Sequence, residues 1–163
     1  MATSEKNLSD YNSEEIPNGA DFKIGIVVSE WNPEITNNLL EGAVQTLLKN
    51  QVKENNILIK RVPGTFELPL GAQFILEHSF ADGVIAIGSV IQGETKHFDF
   101  VCDAAAKGIK DVNLKYNKPV AFCVLTDNTK QQAIDRSGGK HGNKGVECAI
   151  ACMKMIALQK SLS

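Results

Sequence analysis

One stretch of the sequence decides the fold: VIAIGSVIQGETKH, from Val84 to His97. It opens with a run of apolar, mostly β-branched residues, which is typical of a strand buried on both faces of a parallel sheet. Glycine and polar residues follow, and apolar side chains then recur at helical spacing. These side chains belong to Phe98, Val101, Cys102, Ala105, Ile109 and Val112. The stretch therefore predicts a strand, a polar loop and a helix in succession.

The same strand–helix unit recurs on both sides of this stretch. Further strands are predicted at residues 22–28, 57–59 and 120–125. Helices are predicted after Asn32 as N-cap and Pro33 as first helical residue, and at residues 67–78, 131–136 and 146–157. Strands that alternate with helices predict βαβ units with right-handed crossovers. The expected fold is therefore α/β: a three-layer α/β/α sandwich around a four-stranded parallel sheet, flavodoxin-like in outline.

Length and charge limit the classes of protein to consider. The 163 residues suit one domain, which we place at residues 21–163 after a polar arm at residues 1–20. The 17 Lys and Arg residues and 19 Asp and Glu residues give a net charge of −2, which disfavours a nucleic-acid binder. No apolar run reaches the ~18 residues of a membrane span, and the arm lacks the apolar core of a signal peptide. We therefore expect a cytoplasmic protein without membrane or nucleic-acid partners.

The four cysteines, Cys102, Cys123, Cys148 and Cys152, include no C-x-x-C pair, which excludes zinc-ribbon and thioredoxin-like motifs. Cys148 and Cys152 share a helical face, a spacing that two metal ligands could also use. Each stands among Ala, Ile and Met residues, which favours small core side chains. Free thiols are typical of a reducing compartment.

Ligands of such folds bind beyond the carboxyl ends of the parallel strands. The residues that follow the predicted strands are Trp31, residues 63–67, residues 88–97 and those from Thr126 onward. Trp31 is the only tryptophan, and two roles remain open for it. It either closes the helix against the sheet as a partly buried ring or stacks on a planar heterocycle.

Two of these segments begin helices and so offer free backbone N–H groups. Gly64 permits a tight turn, and Glu67 either complements the helix dipole or accepts hydrogen bonds from ligand hydroxyls. The turn at residues 93–95 leads into the next helix, where N–H groups can bind phosphate, although such short turns are common. His97 lies two residues further on, and an imidazole suits proton transfer near neutral pH.

Positive charge follows the fourth strand. Arg136 precedes residues 138–145, a segment with four glycines, two lysines and His141. Its spacing does not match the G-x-x-x-x-G-K-[ST] phosphate loop. Two interpretations remain: a mobile basic loop for a phosphorylated substrate, or a flexible connector with solvated lysines. His78, at the end of a predicted helix where a cation is favourable, is interpreted as structural.

Three motifs together resemble the lumazine synthase family of riboflavin biosynthesis. They are Val62-Pro63-Gly64-Thr65-Phe66-Glu67-Leu68-Pro69, then Gly93-Glu94-Thr95-Lys96-His97-Phe98-Asp99, then Ala133-Ile134-Asp135-Arg136 through Gly142-Asn143-Lys144-Gly145. Each alone is weak, but this order on a four-unit α/β chain is specific, and the similarity runs from about Phe22 to the last helix. The resemblance implies condensation of 5-amino-6-(D-ribitylamino)uracil with 3,4-dihydroxy-2-butanone 4-phosphate to 6,7-dimethyl-8-ribityllumazine. Phosphate and water are released, and no cofactor or metal is needed.

The resemblance also implies a role for each matching residue. His97 would be the general acid and base. Phosphate would be held by Glu94, Thr95, Arg136 and Lys144. The pyrimidine and ribityl groups would contact Trp31, Thr65, Phe66, Glu67, Ser89, Val90, Ile91 and Phe122. Phe122 and Arg136 would reach a neighbouring subunit's site, because the family builds its sites at the interfaces of a homopentamer.

Two positions depart from the family's pattern. Gln92 stands where many members have Arg or Lys, which removes one cation near the phosphate. Glu94 stands where Ala is common, so that its backbone N–H would donate to phosphate while the carboxylate points away. The residues also fit two other classes of protein: a flavodoxin-like module that binds a flavin, and a structural shell protein without activity.

The size of the assembly is a further expectation from the resemblance. Some members of the family stop at the pentamer, and others join twelve pentamers into an icosahedral capsid. Residues 138–145 run without insertion into the last helix, as in the capsid-forming relatives, so we expect the 60-subunit particle. The polar arm is long enough to add to the sheet edge of a neighbouring subunit.

Overall fold

Four parallel strands form the centre of the molecule in the computed structural model, which describes residues 7–162. They are β1 (Ile24–Ser29), β2 (Ile57–Val62), β3 (Gly83–Ile91) and β4 (Val120–Asp127). Their order across the sheet is β2-β1-β3-β4, and every neighbouring pair is parallel. The predicted α/β class and its four-stranded parallel sheet are confirmed. Residues 1–6 of the predicted polar arm, and Ser163, lie outside the described residues.

Helices cover both faces of this sheet. They are α1 (Pro33–Lys49), α2 (Leu68–His78), α3 (His97–Tyr116), α4 (Lys130–Arg136) and α5 (Lys144–Ser161). None of these five is both long enough and apolar enough to cross a membrane. Ile26 and Ile87 pack towards α1, α4 and α5, whereas Val27 and Ala86 pack towards α2 and α3. Burial on both faces explains why the strands are apolar throughout, and it confirms the three-layer sandwich.

Strand β3 is longer than the sequence predicts. Residues 88–91, expected to follow the strand, form its last four residues and pair with β4 as far as Ile91 opposite Asp127. The prediction missed this extension because Gly88 and Ser89 interrupt the apolar run, whereas the cross-strand hydrogen bonds to β4 continue past them. Polar Ser89 is therefore held inside the sheet, at a fixed place near its end.

The loop between β1 and α1 also differs from its prediction. Pro33 is the first helical residue, as expected, but the side chain of Asn32 does not cap the helix. Asn32 instead adopts the left-handed conformation (φ 54°), and its amide Nδ2 donates to the backbone oxygen of Ser89 at 3.0 Å. Left-handed backbone is tolerated best by glycine and asparagine, and here it turns the side chain towards the sheet. The loop is thereby fixed to the end of β3.

The glycine-rich connector is ordered rather than a flexible loop. It forms a small antiparallel hairpin of β5 (Ser137–Gly139) and β6 (Gly142–Asn143), in which Gly142 has the positive φ of 80° that the turn requires. The N–H of Leu8 donates to the backbone oxygen of His141 at 2.8 Å, so that the described part of the arm packs on the hairpin. Asn143 Oδ1 accepts from the N–H of Gly145 at 2.8 Å and starts α5 at Lys144, two residues earlier than predicted.

Cys148 and Cys152 pack as core residues, as predicted. Cys123, Cys148 and Cys152 are buried, and Cys148 Sγ lies 3.5 Å from the backbone oxygen of Phe122. Burial raises the pKa of Cys152 to about 12, which keeps this thiol protonated and unreactive. Among residues 7–162, no cluster of three His, Cys, Asp or Glu side chains is arranged to hold a metal ion.

Candidate active site

All four strands end at one edge of the sheet, here named the carboxyl edge. After β1 the chain crosses over through α1 on one face, whereas the next two crossovers, through α2 and α3, use the other face. This change of face falls between the neighbouring strands β1 and β3, a topology that places a crevice beyond their ends. Ligands of open α/β sheets bind in such crevices. Most of the predicted site residues surround this one.

Trp31 borders the crevice, and its indole ring is exposed. It lies in the loop after β1 and is 70% exposed. Its backbone N–H donates to Ser29 Oγ at 3.2 Å, and the adjacent Asn32 is bonded to β3. In this chain the ring therefore does not close the helix against the sheet, which was one of its two possible roles. A flat ring on an anchored loop is suited to stacking on a planar ligand.

The segment after β2 forms a second wall. Residues Thr65–Glu67 make one turn of 3₁₀ helix before α2. Thr65 is buried against β3 so closely that a Cβ on Gly88 would lie 2.7 Å from Thr65 Oγ1, and only glycine allows this approach. Phe66 is 61% exposed, and Glu67 Oε2 turns back towards Gly64. The turn thus presents an aromatic ring and a carboxylate at the carboxyl edge.

Ser89, Val90 and Ile91 form the floor between these walls, at the end of β3. Ser89 is buried, and no residue among the described 7–162 gives its Oγ a hydrogen-bond partner. Buried hydroxyls are nearly always paired, so this one is available to a ligand or a water molecule. Val90 and Ile91 are half-buried and continue the floor to the edge.

The loop after β3, residues 92–96, joins the floor to α3 and is here named the anion loop. Gln92 to His97 are all exposed, and α3 begins at His97, whose N–H donates to Thr95 Oγ1 at 3.4 Å. The N–H groups of Glu94 and Thr95 form no hydrogen bond to the described part of the chain. Two free N–H groups before a 20-residue helix are a favourable place for an anion. His97 presents its imidazole beside them.

Arg136 lies at the end of α4, next to the last residue of β4. Its Nη1 donates to the backbone oxygen of Gln132 at 3.3 Å and lies 4.0 Å from Asp127 Oδ1. The backbone oxygen of Asp127 accepts from the N–H of Gln92 at 2.9 Å, which connects Arg136 to the base of the anion loop. Burial raises the pKa of Asp127, and the Arg136 cation acts in the opposite direction. Sequence reasoning assigned no role to Asp127, although an acidic residue that ends an apolar strand is itself a signal.

In this chain Phe122 and Lys144 lie apart from the other predicted site residues. Phe122 pairs with Ala86, five residues before the end of β4, or about 16 Å from the carboxyl edge at ~3.3 Å per residue. Lys144 Nζ bonds Glu147 Oε1 at 2.8 Å in a largely buried position. Burial is the largest single effect and lowers the pKa of Lys144, but the hydrogen bond to Glu147 and the nearby groups of Cys148, Glu147 and Cys123 together raise the pKa above its ordinary value.

The basic segment therefore does not form a single cationic loop. Lys140 is exposed and lies 3.6 Å from Asp135 Oδ2, whereas Lys144 faces the interior at the start of α5. Each lysine thus has an acidic partner of its own. Neither of the two interpretations of this segment describes both lysines, because the hairpin separates them.

Large apolar side chains are exposed on two surfaces away from the sheet. The first surface, on α2, the loop after α2 and α3, carries Leu70, Phe74, Phe80, Phe100 and Leu114. The second surface, on α5 and the residue after it, carries Met155, Leu158 and Leu162. Exposed apolar side chains on neighbouring elements are typical of protein–protein interfaces.

Comparison with known proteins gives one consistent result. A sequence model of 6,7-dimethyl-8-ribityllumazine synthase matches residues 21–160. The chain is 58% identical over 157 residues to the 6,7-dimethyl-8-ribityllumazine synthase of Cytophaga hutchinsonii, with 96% of this chain and 98% of the relative covered. It is 55% identical to that of Flavobacterium johnsoniae, with 100% and 86% covered. It is 48% identical to that of Porphyromonas gingivalis, with 98% and 99% covered.

Proposed function

The chain belongs to the 6,7-dimethyl-8-ribityllumazine synthase family, and from this premise we propose that its crevice joins 5-amino-6-(D-ribitylamino)uracil to 3,4-dihydroxy-2-butanone 4-phosphate. The product is 6,7-dimethyl-8-ribityllumazine, and the enzyme is a transferase of riboflavin biosynthesis. One observation carries the proposal: the exposed aromatic ring of Trp31 lies on one side of the crevice, and the free N–H groups of Glu94 and Thr95 lie on the other. This asymmetry suits one planar and one phosphorylated substrate.

The planar substrate is assigned to the side of Trp31. The indole stacks on the pyrimidine, and the end of β3 offers backbone groups and the free Ser89 hydroxyl to the ring edge. The carboxylate of Glu67 accepts hydrogen bonds from the ribityl hydroxyls, with Thr65 and Phe66 beside it. These contacts position the amine that must attack.

The phosphorylated substrate is assigned to the loop before α3. The free N–H groups of Glu94 and Thr95 donate to phosphate oxygens. The Arg136 guanidinium, which the resemblance assigns to a neighbouring subunit's site, adds charge-assisted hydrogen bonds from across the interface. The Glu94 side chain is exposed, so its carboxylate can point to solvent while its N–H binds. Gln92 contributes no charge, which leaves Arg136 as the principal cation of this subsite.

The chemistry needs proton transfers more than any other kind of catalysis. The amine attacks the ketone, and loss of water yields an imine. Phosphate then leaves, the resulting enol tautomerises, and the second amine closes the ring with loss of another water. His97 stands beside the phosphate loop, where its imidazole can give and take the protons of these steps. The remaining acceleration comes from holding two substrates together.

We further propose that the working unit is a homopentamer. Phe122 lies five residues before the end of β4, too far from the carboxyl edge to reach the site of its own chain, but β4 is an edge strand that a neighbour can approach. The apolar surface on α2 and α3 supplies the area for such a contact. The second surface, on α5, supports joining twelve pentamers into the icosahedral particle.

A cytoplasmic location is part of the same proposal. All four cysteines are free thiols, and three of them are buried without forming a disulfide. Free thiols persist where the compartment is reducing. Both substrates of the proposed reaction are small polar molecules that a soluble enzyme meets directly.

The direct test is to incubate the purified protein with the two named substrates. We expect lumazine absorbance to rise, with one phosphate released per lumazine formed. A yellow, monomeric protein that retains a flavin and leaves both substrates unchanged would instead be a flavodoxin-like binding module. An assembled particle without turnover would be a structural shell protein.

The pyrimidine substrate is expected to quench the fluorescence of Trp31. A stacked ligand lies in direct contact with the indole, and the chain has no other tryptophan to mask the signal. Titration with the pyrimidine or with riboflavin measures the effect. Inorganic phosphate is the control, because it binds at the other subsite and leaves the emission unchanged. Emission that stays constant at saturating pyrimidine would remove Trp31 from the site.

Replacing Arg136 by alanine is expected to raise the KM for the butanone phosphate by about ten- to a hundredfold. Hydrogen bonds to charged groups contribute ~1.5–3 kcal/mol, and phosphate loses its main cation here. The KM for the pyrimidine should change little, because it binds on the Trp31 side. Steady-state kinetics in both substrates measure this, with Lys140→Ala as the control for loss of an exposed positive charge. Equal losses for both substrates would refute the assignment.

A further inference from the structure

We propose that Asp127 sets the affinity of the phosphate subsite, because its carboxylate competes with the phosphate group for the guanidinium of Arg136. Asp127 is thus a positioning residue that acts through Arg136 and keeps the released phosphate from binding too tightly. The inference rests on the proposed function, in which Arg136 holds the phosphate group.

Asp127 and Arg136 form an ion pair that lacks a direct hydrogen bond. Asp127 is 5% exposed, and its Oδ1 lies 4.0 Å from Arg136 Nη1, which is too long for a hydrogen bond but close enough for strong attraction. Its Oδ2 has no hydrogen-bond partner anywhere in residues 7–162. A paired structural carboxylate would use both oxygens. This one retains unused capacity towards the same guanidinium that phosphate needs.

The two partners differ in mobility. Asp127 ends β4, its backbone is paired with Ile91, and its carbonyl oxygen is bonded to Gln92. The backbone that carries this buried carboxylate is therefore held in place. Arg136 is on a seven-residue helix, and its side chain is 32% exposed. When phosphate binds, the guanidinium is the group that turns, and each bond it gives to phosphate weakens its attraction to Asp127.

Among the described residues, no charged group other than Arg136 stabilises the carboxylate of Asp127. Arg136 is the one ionised group that acts on its carboxylate, and the side chains beside it on β3 are Ser89 and Ile91. Burial raises the pKa of Asp127, and the Arg136 cation acts in the opposite direction and favours the charged carboxylate. A phosphate dianion that draws this cation away leaves a buried negative charge behind. Phosphate affinity is lower for that reason.

The test compares Asp127→Asn with the unaltered enzyme, using inorganic phosphate as the probe. Asparagine keeps the shape and one acceptor oxygen but removes the charge. We expect the inhibition constant of phosphate and the KM of the butanone phosphate to fall about tenfold, which corresponds to ~1.4 kcal/mol. The KM of the pyrimidine should stay within about twofold. Asp127→Thr, a neutral residue that suits a strand end, should act in the same direction.

Three further variants make the result specific. Asp135→Asn removes a carboxylate next to Arg136 in sequence that faces Lys140, and it should leave phosphate inhibition unchanged. Asp127→Glu keeps the charge and should not tighten phosphate binding. In the Arg136→Ala background, Asp127→Asn should have no effect, because the two residues act as a unit.

The outcomes separate this inference from the proposed function. If Arg136→Ala leaves phosphate inhibition intact, the phosphate subsite itself is misplaced. If Arg136→Ala weakens it but neither Asp127→Asn nor Asp127→Thr strengthens it, the role of Asp127 is overturned. Tightening by Asp127→Glu would overturn it as well, since the charge is still present.

Discussion

Replacing His97 by alanine is expected to lower kcat by about 10²–10⁴-fold and to leave the KM of both substrates nearly unchanged. The imidazole stands at the first residue of α3, beside the N–H groups assigned to phosphate, and contacts substrate only through the proton it moves. Activity should not vanish. Holding two reactants together removes about 7–11 kcal/mol of the barrier, and the crevice that does so is intact in the variant.

The measurement is steady-state kinetics in each substrate, followed by the pH dependence of kcat. Any limb of the profile that belongs to the imidazole should disappear in His97→Ala. His78→Ala is the matched control, because His78 ends α2 as an exposed side chain away from the carboxyl edge. An unchanged kcat with a raised KM would mean that His97 only binds. Residual activity equal to that of the solution reaction would mean that positioning contributes nothing.

The sequence predicted the layers of this fold because they depend on local patterns. Apolar runs such as residues 84–87 and helical stripes such as the one ending at Val112 are each about one element long. Their alternation then limits the topology to right-handed βαβ units. The sequence also predicted which loops would meet, since all parallel strands end at the same edge. Trp31 and His97 lie at that edge as a direct consequence.

The parts that could not be predicted depend on packing between distant segments. The last residues of β3 are strand only because β4 continues beside them. The side chain of Asn32 does not cap α1 because the carbonyl oxygen of Ser89 lies within reach across the sheet. The hairpin of β5 and β6 is held by Leu8, about 130 residues earlier in the chain. None of these contacts leaves a periodic signal in the sequence.

The role assigned to Asp127 also depends on a contact between distant segments, which sequence patterns do not reveal. An aspartate at the end of a strand is an ordinary residue until its burial and its distance from Arg136 are known. The motifs of the family identify the groups that bind substrate, and those groups are local in sequence. The group that tunes them is brought close by the fold alone.

A monomeric variant is expected to lose activity altogether, which is the largest effect predicted for this protein. Phe122 is implied in substrate binding, yet it lies five residues before the carboxyl end of β4 in its own chain. A complete site therefore needs a second chain. Phe74→Glu places a charge in the apolar surface of α2 and α3, where the side chain is half exposed and the fold of the single chain does not depend on it. We expect folded, inactive monomers.

Leu158→Glu is the matched variant on the second surface, because it introduces the same charge on α5. It should leave active pentamers while preventing the assembly of the 60-subunit particle that we expect for the unaltered chain. Sedimentation at neutral pH distinguishes the three species, and circular dichroism confirms that each variant is folded. A single unaltered species near five times 17.7 kDa would contradict the particle but not the shared site. Turnover by a monomer would contradict both, since one chain would then supply every group that the reaction needs.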